Sequence, residues 1–224
     1  VNTGTAQNVT SAATQKVLRN TYMLLGMTLA FSALTAGISM SMNLGGGAAM
    51  IMSLAALALV WFVLPRTANT AMGLPVVFLF TGLLGAALGP MLNRYLALPN
   101  GSEMVMQALG GTAIIFFSLS AYVLTTKKDF SFMGGFLFAG LMVVIVGAIG
   151  AMVASYFFGV DVSLFSLVIS GAIVLLMSGF ILFDTSRIIN GGETNYIMAT
   201  VGLYLNIYNL FTSLLHIIGA TSDD

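Results

Sequence analysis

The chain has 224 residues, of which 58% are hydrophobic and only 6% are charged. A soluble domain carries about 25% charged residues, so this composition indicates an all-α integral membrane protein whose first partner is the lipid bilayer. The seven Lys and Arg form no basic patch, which excludes nucleic-acid binding. The chain has no Cys and one His, which excludes disulfides, thiolate catalysis and a multi-histidine metal site, and no cofactor is predicted.

The N-terminal segment differs in composition from the rest of the chain. Residues 1–15 are rich in Thr, Ala, Asn, Gln and Ser and carry no charged side chain, so we predict a flexible cytoplasmic tail that can serve as a handle. Lys16 and Arg19 follow, and then the first span, 22–41, which is too long for a cleavable signal peptide. Small residues along this span predict a packing face, formed by Gly26, Ala30, Ala33 and Gly37.

Six further apolar segments make residues 16–224 a predicted seven-helix transmembrane domain. Pro65 is expected to end the second span, Pro90 to kink or thin the third, and 94–102 to form a turn. The turn signal Asn190-Gly191-Gly192 is expected to end the sixth span. The predicted limits of the six spans are 48–64, 72–92, 103–124, 132–158, 164–189 and 197–218.

The distribution of Lys and Arg predicts the orientation of the spans. Only Arg94 falls on one side of the predicted membrane, and the other six of the seven cations fall on the opposite side. By the positive-inside rule the N-terminus is cytoplasmic, and seven spans place the C-terminus on the outer side. The six cations are Lys16, Arg19, Arg66, Lys127, Lys128 and Arg187.

The last span carries polar residues along one face, at spacings of three or four residues. Unpaired amides or an imidazole in hydrocarbon would cost roughly a few kcal/mol each, so this face should point into a bundle or a wet cavity. The last helix is therefore predicted to be central. Asn206 and Asn209 lie near the midplane, either as structural hydrogen-bonding partners or as part of a functional polar core. The face consists of Ala199, Gly202, Asn206, Asn209, Ser213 and His216.

Asp184 lies in the last two turns of the predicted sixth span and has two interpretations. It is either a helix-terminal carboxylate that pairs with Arg187 or reaches water, or an acid that faces a cavity and acts as a proton-sensitive latch. In the second case Arg66 or Arg187 would balance its charge. An aspartyl protease needs two carboxylates at one site, and His216 is predicted near the opposite membrane face from Asp184, so no enzyme and no catalytic residue is predicted.

Two motifs, Phe-Asp-Thr-Ser-Arg-Ile-Ile at 183–189 and Leu-Tyr-Leu-Asn-Ile-Tyr-Asn-Leu-Phe at 203–211, together resemble the transmembrane Bax-inhibitor-motif family. The segments 16–22, 121–129 and 191–197 are similar to its bacterial members. The last of these segments contains the motif Glu193, Thr194, Asn195 and Tyr196. Independently of the resemblance, Glu193 and Thr194 are expected to supply an anion and a cap at the start of the last helix.

The resemblance implies a seven-helix fold in which the last helix is surrounded by the other six. It also implies a bacterial inner-membrane protein, with its C-terminus in the periplasm, that binds the ATP-dependent membrane protease FtsH and its HflK/HflC partners. Such a protein serves the protease as a modulator and is itself a slow substrate.

Other family members imply an alternative, a pH-sensitive calcium or cation leak channel gated by protonation of Asp184. In these members an Asp on the sixth span pairs with an Asp on the seventh. Asp184 matches the first position and Asn206 stands at the second, so the acid pair is incomplete here. Arg66 falls near the position of a cation that can lock the acid. The regulator and the channel both remain open at this point.

Overall fold

The computed structural model describes the backbone of residues 3–222 and the side chains of residues 12–222. Every regular element within this part of the chain is helical. The α-helices are α1 (Thr3–Ser41), α2 (Gly46–Ala58), α3 (Leu64–Thr67), α4 (Gly73–Leu96), α5 (Gly101–Thr126), α6 (Gly134–Phe158), α7 (Ser163–Ile189) and α8 (Tyr196–Thr221). A π-helical segment, Leu59–Val63, joins α2 to α3, and a 3₁₀ turn, Ser131–Met133, precedes α6.

Seven helical stretches in the described residues are long and apolar enough to cross a membrane, which confirms the predicted all-α, seven-span fold. The predicted end of the sixth span is also confirmed, because α7 ends at Ile189, before the Asn-Gly-Gly turn. The seven stretches are Ala12–Ser41, Gly46–Thr67, Gly73–Leu96, Gly101–Thr126, Ser131–Phe158, Ser163–Ile189 and Tyr196–Thr221.

Two predicted boundaries are wrong. The segment 94–102 is mostly helical: α4 continues past Pro90 to Leu96 and α5 begins at Gly101, so the turn is confined to 97–100. Pro65 does not end the second span either, because the chain stays helical to Thr67. Proline removes one backbone donor and clashes with the carbonyl four residues earlier, and the wider π turn just before it accommodates this defect.

The helices fall into two compact units. Unit one comprises residues 1–101 and 188–204, and unit two comprises 102–187 and 205–224, so each unit includes part of α8. The helix α1 already includes most of the segment 1–15, of which residues 1 and 2 lie outside the described residues. The division into a flexible tail, 1–15, and one domain, 16–224, stays a prediction.

In unit one, α1 does not pack through the predicted small-residue face. Gly26, Ala30, Ala33 and Gly37 are exposed, and a Cβ at either glycine would meet no atom within 4 Å. The opposite face of α1 is buried instead. The glycines of this helix contact come from α4, and α1 contributes Ser, Thr, Ala and Leu side chains. The buried face of α1 comprises Thr21, Leu24, Leu25, Thr28, Ser32, Ala36 and Ser39.

In unit two, α6 packs on α7 at two positions where a leucine of one helix lies against a glycine of the other. A Cβ added at Gly179 of α7 would lie 2.6 Å from Leu137, and one added at Gly140 of α6 would lie 2.7 Å from Leu176. Each leucine therefore occupies the space left by the partner helix's glycine. Most of the remaining surface of α6 is apolar and exposed, as expected of a helix whose other sides face lipid.

The helix α8 has no exposed residue between Tyr196 and Gly219. Its largest fully buried side chains include Leu203 and Tyr204 in unit one and Leu210 and Leu215 in unit two. This burial extends around the whole helix and is not confined to the polar face. It agrees with the prediction that the last helix is shielded from lipid.

Candidate functional site

The centre of the candidate site is a carboxylate and an amide on two helices of unit two. Asn206 of α8 donates its side-chain N–H to Oδ2 of Asp184 of α7, with an Nδ2–Oδ2 distance of 2.7 Å. Asn206 is only 6% exposed and Asp184 is half-buried. The structure therefore brings together the two residues that the sequence compares with an acid pair.

The chemistry of this pair differs from that of two acids. Two carboxyl groups at this distance must share a proton, so their hydrogen bond depends on the protonation state of the pair. An amide N–H can donate to an ionised carboxylate, and it can also donate to the carbonyl oxygen of a protonated carboxyl group. The contact between Asp184 and Asn206 therefore does not need to break when Asp184 takes up a proton.

The rest of the predicted polar face is buried or half-buried, and two of its other polar residues have contacts of their own. Asn209 donates to the carbonyl of Leu205 in its own helix, at 2.8 Å. Further along α8, His216 Nδ1 lies 2.8 Å from the hydroxyl of Ser170, which itself donates to the carbonyl of Ser166 at 3.0 Å. Which of the two atoms donates in the first contact depends on the tautomer of His216.

Ser186 is a site residue that the sequence did not identify. Its side chain is fully buried, and its hydroxyl accepts the backbone N–H of Phe130 at 2.8 Å. The same hydroxyl donates to the carboxylate of Asp129 at 3.4 Å. Its neighbours Asp184, Thr185 and Arg187 are charged or polar. This density of polar groups at the end of a span was the only local indication that Ser186 has a specific contact. We call these contacts the Ser186 clasp, formed by Ser186, Asp129 and Phe130.

The loop held by the Ser186 clasp connects α5 to α6 and lies outside the spans. Hydrogen bonds from Ser131 lower the pKa of Asp129, and the hydroxyl of Ser186 acts in the same direction. Lys127 adopts a left-handed backbone conformation with φ of 52°, and the ammonium of Lys128 lies 5.8 Å from the ring centroid of Tyr122. Both lysines are exposed, as a loop at the membrane surface requires.

The two arginines proposed as partners of Asp184 have different surroundings. Arg187 is half-buried, and its guanidinium carbon lies 5.5 Å from the ring centroid of Phe183. Arg66 belongs to unit one, in the last turn of α3, and donates to the carbonyl of Phe62. A role for either arginine in balancing the charge of Asp184 stays a prediction.

The motif at 193–196 starts α8 in unit one, but its cap differs from the predicted one. Asn195, not Thr194, is the cap: its Oδ1 accepts the backbone N–H groups of Ile197 at 2.9 Å and of Met198 at 3.1 Å. Glu193 accepts the backbone N–H of Asn195 at 2.9 Å, while Thr194 is exposed. Threonine is also a preferred cap type, although a weaker one than asparagine, and the choice depends on the exact residue at which the helix begins.

The side-chain amide of Asn195 has a second role. Its Nδ2 donates to the carbonyl of Ala68 at 3.0 Å and to Oδ1 of Asn69 at 2.7 Å. The start of α8 is thereby tied to the connection that follows α3. Tyr196, the last residue of the motif, is half-buried and accepts the hydroxyl of Thr200 on its carbonyl.

The remaining predicted residues concern orientation and ligands. Lys16 and Arg19 are exposed on α1, consistent with charges that border a span. Within the described residues, no three His, Asp or Glu side chains are grouped so that they could hold a metal ion.

Seven apolar helices and a buried amide–carboxylate contact define the class of this chain, a multi-pass membrane protein with a polar core. Residues 14–223 match the family described as inhibitor of apoptosis-promoting Bax1, and the chain belongs to that family. The resemblance expected from the motifs is thereby confirmed.

Curated relatives cover nearly the whole chain. A membrane protein of Vibrio cholerae is 53% identical over 94% of this chain and 92% of its own length. The Escherichia coli K12 protein named Modulator of FtsH protease YccA is 50% identical over 95% of this chain and 93% of its own length. A Pseudomonas aeruginosa protein is 49% identical over 93% of this chain and 90% of its own.

Proposed function

We propose that this protein binds an FtsH-type ATP-dependent membrane protease, modulates it and is itself a slow substrate. The observation that carries the proposal is 50% identity, over 95% of the chain, with a protein named as a modulator of FtsH protease. HflK and HflC, as partners of the protease, belong to the same proposed assembly.

The proposed location is the bacterial inner membrane, with the N-terminus in the cytoplasm and the C-terminus in the periplasm. The Escherichia coli O6:H1 relative, 50% identical to this chain, is named as an inner membrane protein. In this orientation residues 1–15 face the compartment in which ATP is hydrolysed. The segment precedes Lys16 and Arg19, the cations expected at the cytoplasmic end of the first span, so in this orientation it offers a length of polypeptide outside the membrane.

The proposed role needs no catalysis by this chain. The hydroxyl of Ser170 also contacts a carbonyl of its own helix, that of Ser166, so its contact with the one histidine links α7 to α8 and requires no chemical step. The polar contacts instead fasten helices to one another. A fastened bundle with a polar segment ahead of it can occupy a processive protease and delay it.

The test is a reconstituted assay with the protease, ATP and a fluorescent reporter substrate in liposomes. Adding this protein is expected to slow turnover of the reporter, and purification in mild detergent is expected to recover the protease with it. Deleting residues 1–15 is expected to slow degradation of the chain. A variant with residues 1–15 shuffled keeps length and composition and serves as the control. If deleting residues 1–15 changes neither the degradation of the chain nor its inhibition of the protease, the segment is not the handle that the protease grips.

The half-buried carboxylate of Asp184 between α7 and α8 supports a second candidate, a cation leak gated by protonation of Asp184, although the bond from Asn206 does not itself need to break on protonation. Calcium flux into liposomes at pH 5 to 8 tests it. If the amide has replaced a proton-sharing acid, the natural chain is silent and Asn206→Asp gains pH-dependent flux. Flux in the natural chain that Asp184→Asn abolishes would instead favour the channel.

A further inference from the structure

The first helix of unit one is held in a groove on α4. A Cβ added at Gly82 would lie 2.7 Å from the ring of Phe31, and one added at Gly85 would lie 2.6 Å from the hydroxyl oxygen of Ser32. A Cβ at Gly89 would lie 2.6 Å from the Cβ atom of Ser39. Real Cβ atoms do not approach so closely, so only glycine at these positions allows α1 to lie at this depth.

Hydrogen bonds fasten the same face of α1 at three levels. The hydroxyl of Thr200 of α8 lies 3.3 Å from the carbonyl of Thr21 and 2.7 Å from that of Tyr196 in its own helix, so the two carbonyls share one hydroxyl proton. At the middle level the hydroxyls of Ser32 and Tyr204 lie 2.6 Å apart, and at the far end Asn93 of α4 donates to the carbonyl of Met40 at 3.0 Å. From residue 21 to residue 40 the helix rises about 28 Å, nearly the whole hydrocarbon thickness.

The middle level is the most deeply enclosed of the three. Tyr204 is 1% exposed, and its hydroxyl also donates to the carbonyl of Thr81 of α4, at 3.3 Å. In the shorter contact with Ser32, either hydroxyl can be the donor. One side chain of α8 therefore binds both α1 and α4.

The other face of α1 is open. Gly26 and Gly37 lie on that face, and a Cβ at either position meets nothing within 4 Å. The helix is therefore held by one face and can leave its groove without another helix of unit one being displaced from behind it. Without a hydrophobic driving force between helices in lipid, close packing and hydrogen bonds decide how firmly it stays.

We propose that the fastening of α1 to α4 and α8 sets the rate at which a protease pulling from the N-terminal side extracts this chain from the membrane. The inference rests on the proposed function, since it concerns degradation by the protease that the chain modulates. The helix α1 is the first span that such a protease draws out, and the step it must overcome is the release of the face that carries Ser32.

The experiment compares full-length chains in liposomes with the protease and ATP. The double substitution Ser32→Ala with Tyr204→Phe removes the middle hydrogen bond and keeps the shape of both side chains. It is expected to be degraded about tenfold faster, which corresponds to about 1.4 kcal/mol at the rate-limiting step. The matched control is Ser170→Ala in unit two, which removes a buried hydroxyl contact with His216 and is expected to leave the degradation rate unchanged.

Two further measurements distinguish a failure of the proposed function from a failure of the inference about α1. Recovery of the protease in mild detergent reports the proposed function and is expected to be equal for all three chains. Single-molecule pulling from an N-terminal handle in bicelles reports the release of α1 without any protease, and the double variant is expected to yield at lower force. Equal degradation rates, an unchanged release force, or equal acceleration by Ser170→Ala would each overturn the inference, even if the protease is recovered.

Discussion

The side-chain amide of Asn206 and the carboxylate of Asp184 form a hydrogen bond that either protonation state of the acid can keep. The bond joins α7 to α8 inside unit two. At this position the pair acts first as a structural link between helices, whether or not the chain conducts ions.

Substituting Asn206→Leu tests this link. It leaves Asp184 with one donor fewer in a half-buried place, so we expect the free energy of unfolding in mixed micelles to fall by about 1 to 3 kcal/mol. The matched control is Asn209→Leu, which removes an amide bonded to Leu205 within its own helix. The control is expected to cost about 0.5 to 1.5 kcal/mol. Equal losses for the two variants would contradict a specific role for the contact with Asp184.

The two functions of Asn195 can be separated by two substitutions. Asn195→Ala removes the cap of α8 and the bonds to Ala68 and Asn69, and should lower the free energy of unfolding by about 0.5 to 2 kcal/mol or more. Asn195→Asp keeps an oxygen for the cap and loses the donor, so its loss should be smaller. Thr194→Ala at the exposed neighbour should change stability by less than about 0.5 kcal/mol. A larger effect at Thr194 than at Asn195 would show that the cap is misassigned.

These residues also show what could be predicted from sequence. The number of spans follows from long apolar runs, and the helical position of Asp184 follows from the turn signal at Asn190-Gly191, because both are local properties of the chain. The choice of Asn195 over Thr194 as the cap depends on where the helix begins to within one residue, which no local preference fixes.

Contacts between distant segments were beyond such reasoning. Ser186 resembles any other serine in a helix, and only the fold brings Asp129 and Phe130 to its hydroxyl. Likewise, the stripe of small residues on α1 suggested a packing face, but the opposite face of α1 packs against the glycines of α4, and residue spacing alone could not choose between the two faces.

The Ser186 clasp predicts a pH dependence for the loop at 127–130. The pKa of Asp129 is lowered in the folded protein, mainly by hydrogen bonds from Ser131 and in part by Ser186. The carboxylate therefore stabilises the loop above its unfolded pKa of 3.8, and this contribution is lost as the pH falls through the lower folded pKa. Carboxyl NMR titration should place the midpoint of Asp129 below 3.8 and move it upward in Ser186→Ala.

The matched control for that titration is Asp161, which lies in another loop and whose pKa is lowered by hydrogen bonds from Ser163. Its midpoint should stay in place in the Ser186→Ala variant. A midpoint for Asp129 that Ser186→Ala leaves unchanged would show that the hydroxyl contributes nothing to the charge state of the loop.

The proposed orientation can be tested directly because the chain contains no Cys. Gln15→Cys and Ser222→Cys each introduce one thiol at an exposed position. In intact spheroplasts a membrane-impermeant maleimide should label residue 222 and not residue 15, and both should react after lysis. Labelling of both positions in intact spheroplasts would place them on the same side and contradict an odd number of crossings between them.

The groove on α4 predicts opposite effects for two identical substitutions. At Gly85 an added methyl would meet the hydroxyl and the backbone carbonyl of Ser32, and a backbone atom cannot move aside unless the helices separate. Gly85→Ala should therefore lower the free energy of unfolding by about 1 to 3 kcal/mol. At Gly26 the methyl meets nothing within 4 Å, and Gly26→Ala should raise it by up to about 1 kcal/mol through helix propensity. Because the substitutions are chemically the same, a stabilising effect at Gly85, or a loss at Gly26 as large as at Gly85, would mean that α1 uses its other face.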